Sequence, residues 1–164
     1  MREVIYKVYK FEELSDEAKE KAIDNNRGIN TEFPDWWEFV YEDAANEGVK
    51  ILSFDIYRGD IEVQLMKDVE FDREQALKEI SESKEEFGTL MLEYLDADEY
   101  EREDIIEDYL TEYEEEKTKE AEEEAREYWL DRLIKEEEWL TSDECIAETL
   151  IANEYEFYEN GEAF

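Results

Sequence analysis

Hydrophobic and polar residues change period several times along this chain, and each change marks an element. Residues 3–9, EVIYKVY, are rich in β-branched and aromatic side chains and predict a strand. Ser15 then precedes a segment in which Ala18, Ala22 and Ile23 share one helical face, so a helix is expected from Asp16 to about Asn26. NNRGIN at 25–30 reads as a loop. Pro34 suits the first turn of a second helix carrying Trp37, Val40, Tyr41 and Ala44, and Gly48 ends it.

Residues 49–57 and 61–69 alternate with period two and predict a hairpin turned by Gly59. Val49, Ile51 and Ser53 fall on one face, as do Ile61, Val63 and Leu65. Arg58-Gly59-Asp60 spells an adhesion tripeptide, but a glycine-containing hairpin turn accounts for it.

Asp72 and Gln75 have the spacing of a capping pair. From there to about Leu140 the period is helical, with a break expected around Gly88 or at Asp96-Ala97-Asp98. Ile106, Tyr109, Leu110 and Tyr113 form one apolar stripe, and Leu130, Leu133 and Ile134 another near Trp129. Between the stripes, residues 114–127 offer only Ala121 and Ala125, so this stretch is expected to stand exposed between packed ends. Thr141 and Glu144 form a capping-box pair that starts a last helix near Ser142. Residues 155–158, YEFY, can add a closing strand, and Asn160-Gly161 is a turn signal. The expected fold is a single α+β domain over 1–164: a small antiparallel sheet, several helices, and an acidic helical segment at 98–140.

Charge sharpens that picture. The 164 residues carry a formal net charge of −35, yet 14% are aromatic, which argues for a folded chain that tolerates self-repulsion. Residues 98–148 hold 23 acidic and 6 basic residues, about twice the net charge density of the remainder. Carboxylates one helical turn apart are spaced by about 5.4 Å, against about 3.4 Å between successive phosphates of a DNA strand. Several acidic columns on one helix therefore approach the charge density of a nucleic-acid backbone. The competing reading is a solvated helix held by pairs such as Glu115–Lys119 and Glu122–Arg126.

The remaining composition removes chemistry. There is no His, so Ser–His and Cys–His nucleophile pairs cannot be built. Cys145 is the one cysteine, which fits a reducing cytosol and excludes an internal disulfide. A core or half-buried thiol is expected there, because no cationic cluster lies near it in sequence. The first residues have no apolar signal-peptide core, and no apolar run is long enough to span a membrane. The basic footprint required for direct nucleic-acid binding is missing, and anionic membranes repel such a chain. Asp96, Asp98 and Glu107 fall at positions 1, 3 and 12 of a calcium loop, but Glu101 replaces its glycine, so no metal site or cofactor is expected.

YKFEELSDEAKEKAID followed by WWEFVYEDAANEGVKILSFDI, over residues 6–56, and EEWLTSDECIAETLIANEYEFYENGEAF, over 137–164, resemble small acidic proteins encoded by phages and prophages, sometimes labelled antitoxin-like. The resemblance covers about half the chain and implies a genetic setting rather than a reaction, because the family has no catalytic motif. It implies the bacterial cytoplasm as the compartment and a host or defence protein, a nuclease or other nucleic-acid-binding protein, as the natural partner.

Two functions are expected from these observations. The first is a non-enzymatic inhibitor of anti-restriction or anti-CRISPR type that mimics DNA. Its partner-binding residues would be Glu112, Glu114, Glu115, Glu116, Glu120, Glu122, Glu123, Glu124 and Glu127, with Trp129 adding contact area. The second is an antitoxin-like or phage accessory module with an aromatic interface through Trp36, Trp129 and Trp139. A homodimer would form if the long helix left an apolar stripe uncovered.

Overall fold

The computed structural model describes residues 5–33, 35–67, 69 and 72–164, without the side chains of Lys84 and Glu86. The fold is α+β. The elements run in the order β1 (Tyr9–Lys10), a 3-10 turn (Phe11–Glu13), α1 (Asp16–Asn25), α2 (Glu38–Asn46), β2 (Val49–Asp55), β3 (Asp60–Leu65), α3 (Arg73–Glu82), α4 (Lys84–Asp96), α5 (Glu101–Leu140), α6 (Asp143–Ala152) and β4 (Glu156–Phe157). The strands make two separate antiparallel ribbons, β1 with β4 and β2 with β3. Two compact units result, one from the chain up to Asp43 together with Leu130–Phe164, the other from Ala44–Trp129.

The first unit joins distant parts of the sequence. Tyr9 pairs with Phe157 and Lys10 with Glu156. The strand expected at 3–9 is thus reduced to two residues: its partner is equally short, and residues 5–8 lie outside any strand. Positions 3 and 4 of that expectation lie outside the described residues. The Ser15 side chain accepts from the Ala18 amide and starts α1 as expected. Ala18, Ala22 and Ile23 then pack with Phe11, Leu14, Ile146, Leu150 and Phe157 into one core. Phe11 and Phe157 meet edge-on at 6.2 Å. Polar groups fix the connection into α6: Asn30 Nδ2 donates to the Leu140 carbonyl at 2.9 Å, and Arg27 pairs with Asp24 and Asp143.

The cap of α6 differs from the expected box. Ser142, not Thr141, accepts from the Cys145 amide, because the Thr141 hydroxyl donates back to the Glu137 carbonyl at 2.8 Å. In α2, Tyr41 N donates to the Trp37 carbonyl at 3.1 Å, and Pro34 lies outside the described residues. Gly48, at φ +84°, follows α2 as its stop.

In the second unit the hairpin is shorter than expected and its phase changes midway. The register shifts between Ile51 and Ser53, leaving Leu52 as an extra residue. Val49, Ile51 and Val63 are buried, but after the bulge it is Phe54, not Ser53, that turns inward. The helical run from Arg73 breaks twice. Ser83 takes an extended backbone, φ −75° and ψ 107°, and separates α3 from α4. The second break is at residues 97–100, as expected, whereas Gly88 lies inside α4. Ala76, Ile80, Leu90 and Leu110 form the core of these helices, with Ile105, Ile106, Tyr109 and Tyr113 packed against it.

Candidate functional site: an acidic helical surface

Helix α5 begins in a reciprocal cap. The amides of Tyr100 and Glu101 donate to Asp98 Oδ1 at 2.9 and 3.1 Å, while Asp98 N donates to Glu101 Oε2 at 3.1 Å. Glu101, Glu103 and Asp104 occupy the first turn, where the helix dipole favours negative charge. Glu, Lys, Arg and Ala dominate the middle of the helix, and all are strong helix formers. The capping role of Asp98 also accounts for acidic spacing that resembles a calcium loop. Among the described residues no group of three or more His, Cys, Asp or Glu side chains could hold a metal ion.

The middle of α5 has two faces. Glu114, Lys117, Thr118, Ala121, Glu122, Ala125 and Arg126 are half-buried, and Trp129 closes their arc. The expectation of a bare helix over 114–127 is therefore corrected: small side chains and the stems of long ones give the arc cover that a search for large apolar residues overlooks. Glu112, Glu115, Glu116, Glu120, Glu123, Glu124 and Glu127 are exposed on the other face. Glu112, Glu116, Glu123 and Glu127 lie within about 60° of one another and extend over roughly 23 Å of helix axis. Of the expected contact residues, Glu114 and Glu122 sit at the edge of this face, and Trp129 leaves it altogether. Trp129 is only 2% exposed, stacked edge-on with Tyr128 at 4.9 Å, because it continues the Ala121–Ala125 column inward. Tyr128, 51% exposed, is the aromatic that a partner would meet.

Cations along the helix are mostly engaged. Arg126 pairs with Glu122 at 3.3 Å and Glu123 at 3.1 Å, and Lys117 donates to Glu120 at 2.9 Å. Among the described residues no Lys or Arg stands at ion-pair distance from Glu112, Glu115, Glu116, Glu124 or Glu127.

One polar cluster beside this face has no counterpart among the sequence expectations. Tyr113 Oη donates to Glu79 Oε2 at 2.6 Å, Gln75 Nε2 donates to Glu79 Oε1 at 3.1 Å, and Lys117 Nζ lies 3.9 Å from Glu79 Oε2. The hydrogen bond from Tyr113 holds the Glu79 carboxyl below its ordinary range, and the same bond raises the Tyr113 hydroxyl. These groups line a cleft of about 370 Å³ between α3 and α5, together with Asp72, Glu120 and Glu124. Sequence spacing contains no sign of the cluster, because it depends on α3 packing against α5.

Cys145 is half-buried, and burial, then the charges of Glu148 and Glu136, push its thiol upward, away from the thiolate that a nucleophile requires. Trp36 and Trp37 are half-buried and meet edge-on at 5.7 Å, while Trp139 is 47% exposed. Among the described residues no helix is long and apolar enough to cross a membrane. Comparison of the chain with protein-family models, with curated proteins and with solved structures found no match.

Proposed function

We propose that the protein is a non-enzymatic inhibitor, acting in the cytoplasm of a bacterial host cell, that occupies the basic nucleic-acid-binding surface of a host or defence protein. The observation that carries this reading is the exposed carboxylate column Glu112–Glu116–Glu123–Glu127, flanked by Glu115, Glu120 and Glu124. Lysines and arginines that grip phosphates find comparable anions here. The carboxylates sit on a preformed helix, so contact need order only their side chains and not the backbone that carries them. Tyr128 supplies apolar contact area at one end.

The test immobilises the protein and exposes it to bacterial lysate at about 0.1 M and about 0.5 M salt, where the Debye length falls from about 10 Å to under 5 Å. The expected result is recovery of a nucleic-acid-binding protein at low salt and its release by added duplex DNA. Glu116→Lys, Glu123→Lys and Glu127→Lys together should abolish recovery while the circular dichroism spectrum is retained. Undiminished recovery by the reversed variant would falsify DNA mimicry.

A second reading, an antitoxin-like or accessory interaction module, rests on the exposure of Trp139. It predicts recovery that persists at the higher salt and is lost in Trp139→Ser.

A further inference from the structure

Helix α4 carries an apolar surface that the described fold leaves uncovered. Leu92 is 72% exposed and Leu95 67% exposed. Their neighbour Leu90 is buried on the opposite side, in the core with Ala76, Ile80 and Leu110. Gly88, Leu92 and Leu95 stand at i, i+4 and i+7, so they form one stripe along the solvent side of the helix.

Gly88 is the informative member. Glycine is a poor residue inside a helix, because it adds unfolded-state entropy and contributes no packing. Its use is normally explained by a left-handed backbone or by crowding. The left-handed glycines of this chain are Gly48, Gly59 and Gly161, and Gly88 is not among them. A β-carbon built on Gly88 meets nothing within 4 Å. Neither backbone nor packing therefore requires glycine there. A glycine next to two exposed leucines makes a shallow notch, which is what a second helix needs to approach closely.

Charge indicates the kind of helix. Glu85 and Asp96 flank the stripe on one side and Glu93 lies further round, all exposed. Asp98 and Glu99 stand beyond its C-terminal end. A second copy of this chain would bring the same acidic rim and another net charge of −35. We propose that Gly88, Leu92 and Leu95 are the docking stripe for a basic amphipathic helix of a partner protein, with aliphatic side chains over the Gly88 notch and Lys or Arg on the carboxylates of the rim. This inference stands apart from the α5 reading, since it rests on other residues and predicts an apolar contribution.

The test uses two fluorescent synthetic peptides of about 20 residues. One has Leu at helical spacing and Lys elsewhere; the other has Gln in place of each Leu, at equal charge. Binding is followed by anisotropy. The Leu/Lys peptide should bind the full chain roughly tenfold or more tightly than the Gln/Lys peptide. Leu92→Gln with Leu95→Gln should remove that difference and leave Gln/Lys binding unchanged. Gly88→Leu should weaken Leu/Lys binding by roughly tenfold while leaving the melting temperature unchanged or higher, since helix propensity improves. Equal affinity for the two peptides, or a double variant that binds like the original, overturns the proposal. So does a dimer in sedimentation that the double variant dissociates, which would assign the stripe to a second copy.

Discussion

Gly161 lies so close to the Ala18 carbonyl that a β-carbon built on it would stand 2.2 Å from the oxygen. The contact seats the Tyr158–Phe164 turn on α1, where Lys21 also pairs with Glu162 at 3.0 Å. Its φ of +80° adds a second demand for glycine. Gly161→Ala is expected to lower stability by about 2–4 kcal/mol in urea denaturation, from backbone strain and displacement of α1 together. Gly59→Ala is the control. It shares the left-handed backbone, at φ +71°, but has nothing within 4 Å, so it should cost only about 1 kcal/mol.

Asp98 starts α5, and its loss should be felt as a lost cap rather than a lost metal ligand. Asp98→Ala removes the acceptor of two amides and is expected to cost about 1 kcal/mol. Asp98→Asn should recover most of this. Calcium at millimolar concentration should leave the difference between variant and original unchanged. A calcium-dependent difference in denaturation midpoint would count against the capping role.

The Glu79–Tyr113 bond makes a prediction about acid. A carboxyl whose folded value lies below its unfolded one adds stability that is present above the unfolded value. That stability disappears as the pH falls through the folded value. Tyr113→Phe removes the first cause of the depression, so Glu79 should titrate at higher pH in the variant, read from its side-chain carboxyl carbon by NMR. An unchanged titration would mean that the bond is not made in solution.

Stability should rise with salt. The ion pairs are on the surface and contribute little each, and screening weakens them. Screening also weakens self-repulsion, and at a net charge of −35 that second effect is the larger. The melting temperature is expected to increase between about 0.01 M and about 0.15 M NaCl, as the Debye length drops from about 30 to about 8 Å. A decrease would show that paired charges dominate.

What could be read from the sequence was local. Ser15, Gly48, Gly59 and the Asp96–Asp98 break each act within a few residues, through a cap, a left-handed backbone or an interrupted period. Features set by a distant partner were not legible. β1 is two residues long because β4 is, and Phe54 turns inward because Leu52 is bulged out of register with β3. Ser83 breaks a helix without glycine or proline to announce it. At the candidate site the carboxylate face was legible from composition and helical spacing. The inward turn of Trp129 was half-written in the Ala121–Ala125–Trp129 column, although tryptophan chemistry invited an interface reading. The Glu79 cluster was not written at all, since Glu79 and Tyr113 are 34 positions apart.

The two compact units differ in when they can exist during synthesis. Ala44–Trp129 is contiguous, so its helices and hairpin can assemble as soon as that segment leaves the ribosome. The other unit is assembled from two segments that Ala44–Trp129 separates in sequence, the one up to Asp43 and the one from Leu130. Phe11, Ala18 and Ala22 must wait for Ile146, Leu150 and Phe157, which are translated more than a hundred residues later. Helix α1 is therefore covered only once residues 146–157 have been made, and the nascent chain holds its apolar face open until then.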